Sequence, residues 1–225
     1  MSQEALEAVT SSGVLERAPF AGMKYVAFCD PSGGSSDSMT LAIGHAEGRI
    51  GTLDAIRERR APFSPESVVE EFAGLLKHYG LQTVEGDRYA GEWPAEAFRR
   101  HGITYVAAKQ PKSQIYLDLL PRINSGEVSL LDSPRLIAQF IGLERRTARS
   151  GRDSVDHAPG AHDDLCNAVA GVLVATSERF RTPVAIFGTY GLTGVEWQAW
   201  QSGQRNKFDG EIKEGPLAGG YAVSR

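Results

Sequence analysis

The sequence predicts an α/β protein built on one mixed sheet: an antiparallel meander first, then parallel strands added through helices that flank the sheet. Three observations carry this. Residues 24–29 are almost continuously apolar through Tyr25, Val26, Ala27 and Phe28, the pattern of a strand buried on both faces. The two connections that follow it, 32–38 and 44–48, are short and turn-rich, which suits hairpins and not crossovers. After residue 64 strand and helix patterns alternate, as in βα units.

The elements follow in order. Residues 1–20 are polar and end in Ala18-Pro19-Phe20, reading as a leader or inter-domain linker with a short helical stretch over 4–9. The first strand, 24–29, stops at Asp30-Pro31-Ser32-Gly33-Gly34, and strands over 39–43 and 50–56 complete the meander. Ser64 then caps a helix with Pro65 at its first position and Val68, Val69, Phe72, Leu75, Leu76 and Tyr79 on one stripe, ending at Gly80. A strand over 81–85 runs into Gly86-Asp87, followed by a helix over 94–101, a strand over 103–108 and a helix over 113–123. Ser133-Pro134 repeats the cap-plus-proline signal ahead of Leu136, Ile137, Phe140 and Leu143, and the last helix runs over 163–180 after a loop rich in Gly and Asp. Domain boundaries are therefore expected at 21–182, with 183–225 a loose, Gly-rich tail whose strongest apolar anchors are Trp197 and Trp200.

Composition narrows the function. The 225 residues carry 24 Lys+Arg against 28 Asp+Glu, a net charge of −4, so the overall field does not hold the chain on nucleic acid and any such contact must use local basic patches. Cys29 and Cys166 are unclustered and sit in apolar runs, supplying neither a disulfide framework nor a zinc site. No apolar run approaches the roughly 20 residues of a membrane span, and the acidic N-terminus is unlike a signal peptide, so a cytoplasmic location is expected. A chain of this length leaves no room for a separate motor domain, and the G-x-x-x-x-G-K-[ST] loop of P-loop ATPases does not occur. A phosphate cradle at Gly33-Gly34-Ser35-Ser36-Asp37, as in sugar-kinase-like ATPases, would need two such domains.

Three acidic sites lie where a regular element meets a glycine-rich loop, the place in an open α/β sheet where ligands gather. Asp30 closes an apolar strand, so its carboxylate is either exposed at the sheet end or expensively buried unless a cation meets it; it would also serve as the first residue of the Pro31–Gly34 turn. Asp87 follows Gly86, with Arg88 next to it as a partner for the acid or for a phosphate, and Glu85 is a rival on the same side of the strand. His162-Asp163-Asp164 opens the last helix; stepping roughly 100° per residue puts Asp164 beside the buried stripe and Asp163 on the outer face. A carboxylate there also gains from the helix dipole. If Asp30, Asp87 and Asp164 converge, the patch repels itself unless hard divalent ions, Mg²⁺ or Mn²⁺, fill it. Two such ions about 3.5–4 Å apart suit phosphodiester hydrolysis. A zinc site of His157, His162 and Asp163 lacks a third convincing ligand.

Basic residues cluster at Arg57, Arg59 and Arg60, at Lys109 and Lys112, and at Arg145, Arg146, Arg149 and Arg152. Most such runs are solvated faces, but Lys109-Gln110-Pro111-Lys112 follows a strand at the acidic end of the sheet, where it would meet a phosphate backbone.

These motifs together suggest a family. Tyr25–Gly34 ending in Asp-Pro-Ser-Gly-Gly, Ser36-Asp37-Ser38, Gly86-Asp87-Arg88-Tyr89-Ala90 and Gly160-Ala161-His162-Asp163-Asp164-Leu165-Cys166-Asn167-Ala168 resemble the C-terminal nuclease domain of tailed-phage large terminase subunits, over about residues 24–174. The resemblance implies an RNase H-like fold, similar also to resolvases, and two-metal cutting of concatemeric double-stranded viral DNA during genome packaging in the cytoplasm of an infected bacterium. It implies Asp30 as the ligand bridging both ions, Asp87 as the second-strand ligand, Asp164 as the helix-borne third, and Asp163 and Asp37 as auxiliary acids near the site, Asp163 counted with the metal ligands; His162 is expected beside them, orienting a carboxylate. Lys109, Lys112, Arg88, Arg145 and Arg146 are the DNA-binding candidates. A packaging ATPase domain or chain, a portal and a small terminase subunit are the implied partners; in the family a motor precedes this domain, so the sequence is expected to be either an excised domain or one whose motor is a separate chain. A resolvase or RNase H-type nuclease and a non-catalytic docking module are the competing expectations.

Overall fold

The computed structural model describes residues 1–88, 91–147, 151 and 153–181, with side chains through 177; the expected tail over 183–225, Arg149 and Arg152 lie outside the described residues. The described elements fall in one compact unit, Met1–Arg181. Its core is a seven-stranded sheet in the order β1-β7-β4-β3-β2-β5-β6.

The centre of that sheet is the expected meander. β2 (Tyr25–Asp30) pairs antiparallel with β3 (Met39–Glu47), and β3 pairs antiparallel with β4 (Ile50–Arg59). Both β3 and β4 run longer than the sequence predicts. Gly44, read as the start of a turn, lies inside β3, where a Cβ would press on Val172 and the Thr52 carbonyl; the reversal comes at Gly48, with φ of 56°. Parallel strands then extend the sheet on one side: β5 (Thr83–Gly86) beside β2 and β6 (Thr104–Ala107) beside β5. On the other side β7 (Val128–Leu131) joins β4 in parallel, and β1 (Thr10–Ser11) joins β7.

Strand alternation divides the core into two layers. Tyr25, Ala27 and Cys29 of β2 pack with Val68, Val69, Phe72 and Leu76 of α2 (Pro65–His78) and with Ala97 and Phe98 of α3 (Trp93–Arg100). Phe28 packs on the opposite face, with α4 (Lys112–Asn124), α5 (Pro134–Ile141) and α6 (Asp164–Arg181). Each fully buried Phe or Leu contributes about 1.5–3 kcal/mol.

Two regions differ from the sequence expectation. Residues 1–20, expected to lead into the domain, supply α1 (Gln3–Ala8) and the edge strand β1, and Leu6 and Val9 are buried among the residues of the α6 layer. Leu143, expected on the α5 stripe, instead begins β8 (Leu143–Thr147), because α5 closes at Gly142; β8 pairs antiparallel with β9 (Asp153–His157) in a separate hairpin. No helix among the described residues is long and apolar enough to cross a membrane.

Candidate functional site

The C-terminal ends of β2 and β5 meet the start of α6. In the parallel register Phe28 pairs with Glu85 and Cys29 with Gly86. Asp87 comes one position later and its amide donates to the Cys29 carbonyl at 3.3 Å, which sets it beside Asp30 at the strand ends. Only glycine fits at 86, where a Cβ would run into the Cys29 carbonyl and the Tyr105 hydroxyl. That hydroxyl donates to the Asp87 carbonyl at 2.9 Å. Gly171 has a matching role on α6: a Cβ there would enter the Phe28 ring, so glycine lets the helix lie close enough for its first turn to reach the strand ends.

Asp164 opens α6. Its Oδ2 accepts from the Ser38 amide at 3.2 Å and its carbonyl from the Thr40 hydroxyl at 2.7 Å, which ties the helix start to β3. Ser38 in turn donates to Glu58 at 3.0 Å, and Arg135 grips the same carboxylate with hydrogen bonds of 2.7 and 3.0 Å.

Asp163 precedes the helix, its carbonyl accepting the Asn167 amide at 2.8 Å. Its side chain is 5% exposed and not outward-facing as the helical step predicts. A residue ahead of the first helical position is not governed by that step. The Tyr116 hydroxyl donates to Asp163 Oδ2 at 2.9 Å, and Lys112 Nζ lies 3.0 Å from the same oxygen and 3.2 Å from Oδ1. Lys112 also stands 3.5 Å from Asp156. Asn167, one turn into α6, is 1% exposed and donates from Nδ2 to Asp30 Oδ2 at 2.8 Å. Its Oδ1 is buried without a hydrogen-bond partner among the described residues.

Asp30, Asp37, Ser38, Asp87, Trp93, Lys112, Asp163, Asp164 and Asn167 line one cavity of about 470 Å³. Burial pushes the Asp30 carboxyl up to about 8, and the charges of Asp164 and Asp87 add to the rise against the Asn167 hydrogen bond, which opposes it. Asp164 is also raised, by burial first, with Asp37 and Asp163 adding to the rise and the Ser38 amide opposing it.

The three acids read from the sequence are therefore brought to one cavity. Asp37, His162 and Asp164 present ligand atoms all within 4.8 Å of one another. Glu85 lines a separate small cavity with Phe28, Lys109 and Gly171. Lys112 is committed to Asp163 and Asp156, whereas Lys109 and Arg88 are exposed. Arg145 and Arg146 are exposed on β8 and engage Asp153 and Glu144. The histidines of the zinc alternative fall into different clusters, His157 with Asp156 and Asp163 and His162 with Asp37 and Asp164. Sequence reasoning missed Asn167, although its spacing of three from Asp164 puts the two on one helical face.

The donor set fits hard divalent cations: carboxylate oxygens, one imidazole, and buried carboxyls whose ionised forms need a counter-charge.

Antiparallel β4-β3-β2 continued by parallel β5 and β6, with helices on both faces, is the RNase H-like nuclease fold. More narrowly, it is the fold of the nuclease domains of phage large terminases. The large terminase nuclease from thermophilic phage G20c aligns with a TM-score of 0.63 at 16% identity, over 76% of this chain and 95% of that one. The nuclease domain of large terminase subunit gp2 of bacterial virus Sf6 aligns with a TM-score of 0.57 at 17% identity, over 77% and 97%. The large terminase of bacteriophage HK97 aligns with a TM-score of 0.61 at 16% identity over 78% of this chain, which spans 43% of that longer protein. The G20c nuclease has also been solved with bound magnesium and with cobalt. Neither a family model nor a curated protein matches the sequence.

Proposed function

We propose that this protein is a two-metal-ion endodeoxyribonuclease that cuts concatemeric double-stranded viral DNA during genome packaging. The observation that carries the proposal is the convergence of Asp30, Asp87 and Asp164, from two strand ends and a helix start, on one cavity of the shared fold. The structural neighbours support it, being nuclease domains of phage large terminases, some holding magnesium, cobalt or manganese.

Asp30, Asp87 and Asp164 would hold Mg²⁺ or Mn²⁺, with Asp37 and His162 beside Asp164 completing the shell. Asp163 would join as a ligand only by releasing Lys112. Bound divalent ions supply a water deprotonated at neutral pH and charge stabilisation at the scissile phosphate. The remaining work belongs to the chain. The Ser38 amide and the Asn167 side chain fix the directions of Asp164 and Asp30, and Tyr116 and Lys112 hold the Asp163 charge in place. Exposed Lys109, Arg88, Arg145 and Arg146 would meet phosphates of the DNA backbone, contacts that position a duplex without reading its sequence. Net acidity leaves intrinsic DNA affinity low, so delivery of substrate would fall to the packaging ATPase, portal and small terminase subunit.

The test is to incubate the purified protein with supercoiled plasmid in Mn²⁺, Mg²⁺ or EDTA, beside Asp87→Ala. Metal-dependent nicking and linearisation, lost in the variant, is the expected result. Cutting that persists in EDTA, or is undiminished in the variant, overturns the proposal. A folded protein inert in both metals, and inert with a packaging ATPase added, would leave the fold as a docking module.

A further inference from the structure

We infer that Asn167 is the positioning residue for Asp30, setting which oxygen of that carboxylate meets a cation; the inference rests on the metal site proposed above. Its Nδ2 donates to Asp30 Oδ2 at 2.8 Å, and this is the side-chain hydrogen bond the Asp30 carboxylate receives among the described residues. One lone pair of Oδ2 is thereby taken, which favours Oδ1 as the oxygen offered to an ion. With the carboxylate ionised, as a cation site requires, the amide cannot be turned round, because its oxygen would then confront a carboxylate oxygen, acceptor against acceptor.

The other half of the amide argues the same way. Asn167 Oδ1 is buried without a donor among the described residues, in a residue that is 1% exposed on a helix where Leu165, Ala168, Val169 and Val172 are buried as well. A buried acceptor left unsatisfied is unfavourable, and an apolar side chain would pack there without that cost. The position therefore serves something other than packing. Charge explains why it is an amide and not an acid. The cavity already holds Asp30, Asp37, Asp87, Asp163 and Asp164, and an ionised Asp at 167 would have no proton to donate and would repel Asp30. The amide gives Asp30 a donor without adding negative charge. Its setting is rigid: α6 is seated on β2 where Gly171 meets the Phe28 ring, so the 167 side chain is delivered to Asp30 by packed structure and not by a loop.

The test is Mn²⁺ binding by calorimetry to the wild type, Asn167→Ala, Asn167→Asp, Asp30→Asn and the Asp30→Asn/Asn167→Ala double variant, each checked for folding by circular dichroism. Asn167→Ala is expected to weaken Mn²⁺ binding tenfold or more, and Asn167→Asp at least as much. In the Asp30→Asn background Asn167→Ala is expected to add nothing, because Asn167 acts through Asp30. A residue that matters only for packing would cause the same loss in both backgrounds, and that result overturns the inference, as does binding within twofold of wild type in Asn167→Ala. If Asn167→Ala does not fold, Asn167→Leu, which keeps the volume, replaces it. If Asp30→Asn binds too weakly to measure, the crystal structure of the Asn167 variant decides: a turned Asp30 carboxylate in an otherwise unchanged site supports the inference, and an unmoved one overturns it. Wild-type protein that binds no Mn²⁺ at all removes the metal site itself, a result distinct from a variant that binds as well as wild type.

Discussion

Asp30 and Asp87 stand at the same level on adjacent parallel strands, one residue beyond the Cys29–Gly86 pair, with the Asp87 amide bonded to the Cys29 carbonyl at 3.3 Å. Neither strand can shift by one residue without losing this alignment, since a slip would turn every side chain to the other face. Two carboxylates are thus held together by backbone hydrogen bonding, at the edge of a packed core, where burial opposes the ionisation of Asp30.

That opposition makes stability depend on pH. The Asp30 carboxyl is pushed up to about 8 from an ordinary value of 3.8, chiefly by burial. Between those values the folded state binds the proton and the unfolded state does not, so metal-free stability is highest near pH 4 on this account and falls as pH rises toward 8. Asp30→Asn removes the group and is expected to flatten the fall, leaving the variant more stable than wild type by roughly 1–3 kcal/mol at pH 8 without divalent ions. Urea denaturation in EDTA across this range checks it. A wild type whose stability rises from pH 5 to pH 8 through Asp30 would contradict it.

Tyr116→Phe deletes the hydroxyl that donates to Asp163 Oδ2 at 2.9 Å in a fully buried setting. Removing a hydrogen bond to a charged, buried carboxylate costs about 1.5–3 kcal/mol. Chemical denaturation should show a loss of that size, with Lys112 still neutralising Asp163. A variant as stable as wild type would mean that the hydroxyl does not support the buried charge.

Gly171→Ala places a methyl group where the Phe28 ring lies. Overpacking of this kind typically costs about 1–3 kcal/mol. The same shift would lift the start of α6 from the strand ends, so Mn²⁺ affinity is expected to fall along with the melting temperature. Phe28→Leu in the same chain should relieve both by making room for the methyl group.

Much of this was legible in the sequence. The apolar run at Tyr25–Asp30, the Ser64-Pro65 and Ser133-Pro134 caps and the glycine before Asp87 each carry a local physical signal, and local signals are what a single sequence displays. The three acids could be chosen because each stands where an element meets a glycine-rich loop. Apart from Asn167, the remaining features lack a local signature. β8 reads Leu-Glu-Arg-Arg-Thr with only Leu143 buried, so no apolar alternation marks it as a strand. β1 has two residues and is defined by pairing with β7, more than a hundred residues away. The orientation of Asp163 follows from tertiary partners, Tyr116 and Lys112, that helical geometry cannot supply. The choice between Glu85 and Asp87 was open because alternation puts both on one side; it is the strand end, one rung further, that separates the two cavities they line.

The most direct measurement is anomalous diffraction from a crystal of the protein soaked in Mn²⁺. Anomalous peaks bounded by Asp30, Asp87 and Asp164, two of them about 3.5–4 Å apart, are the expected result. Peaks confined to the protein surface, with this cavity empty at saturating Mn²⁺, would contradict the central claim that these three carboxylates form a metal-dependent catalytic centre.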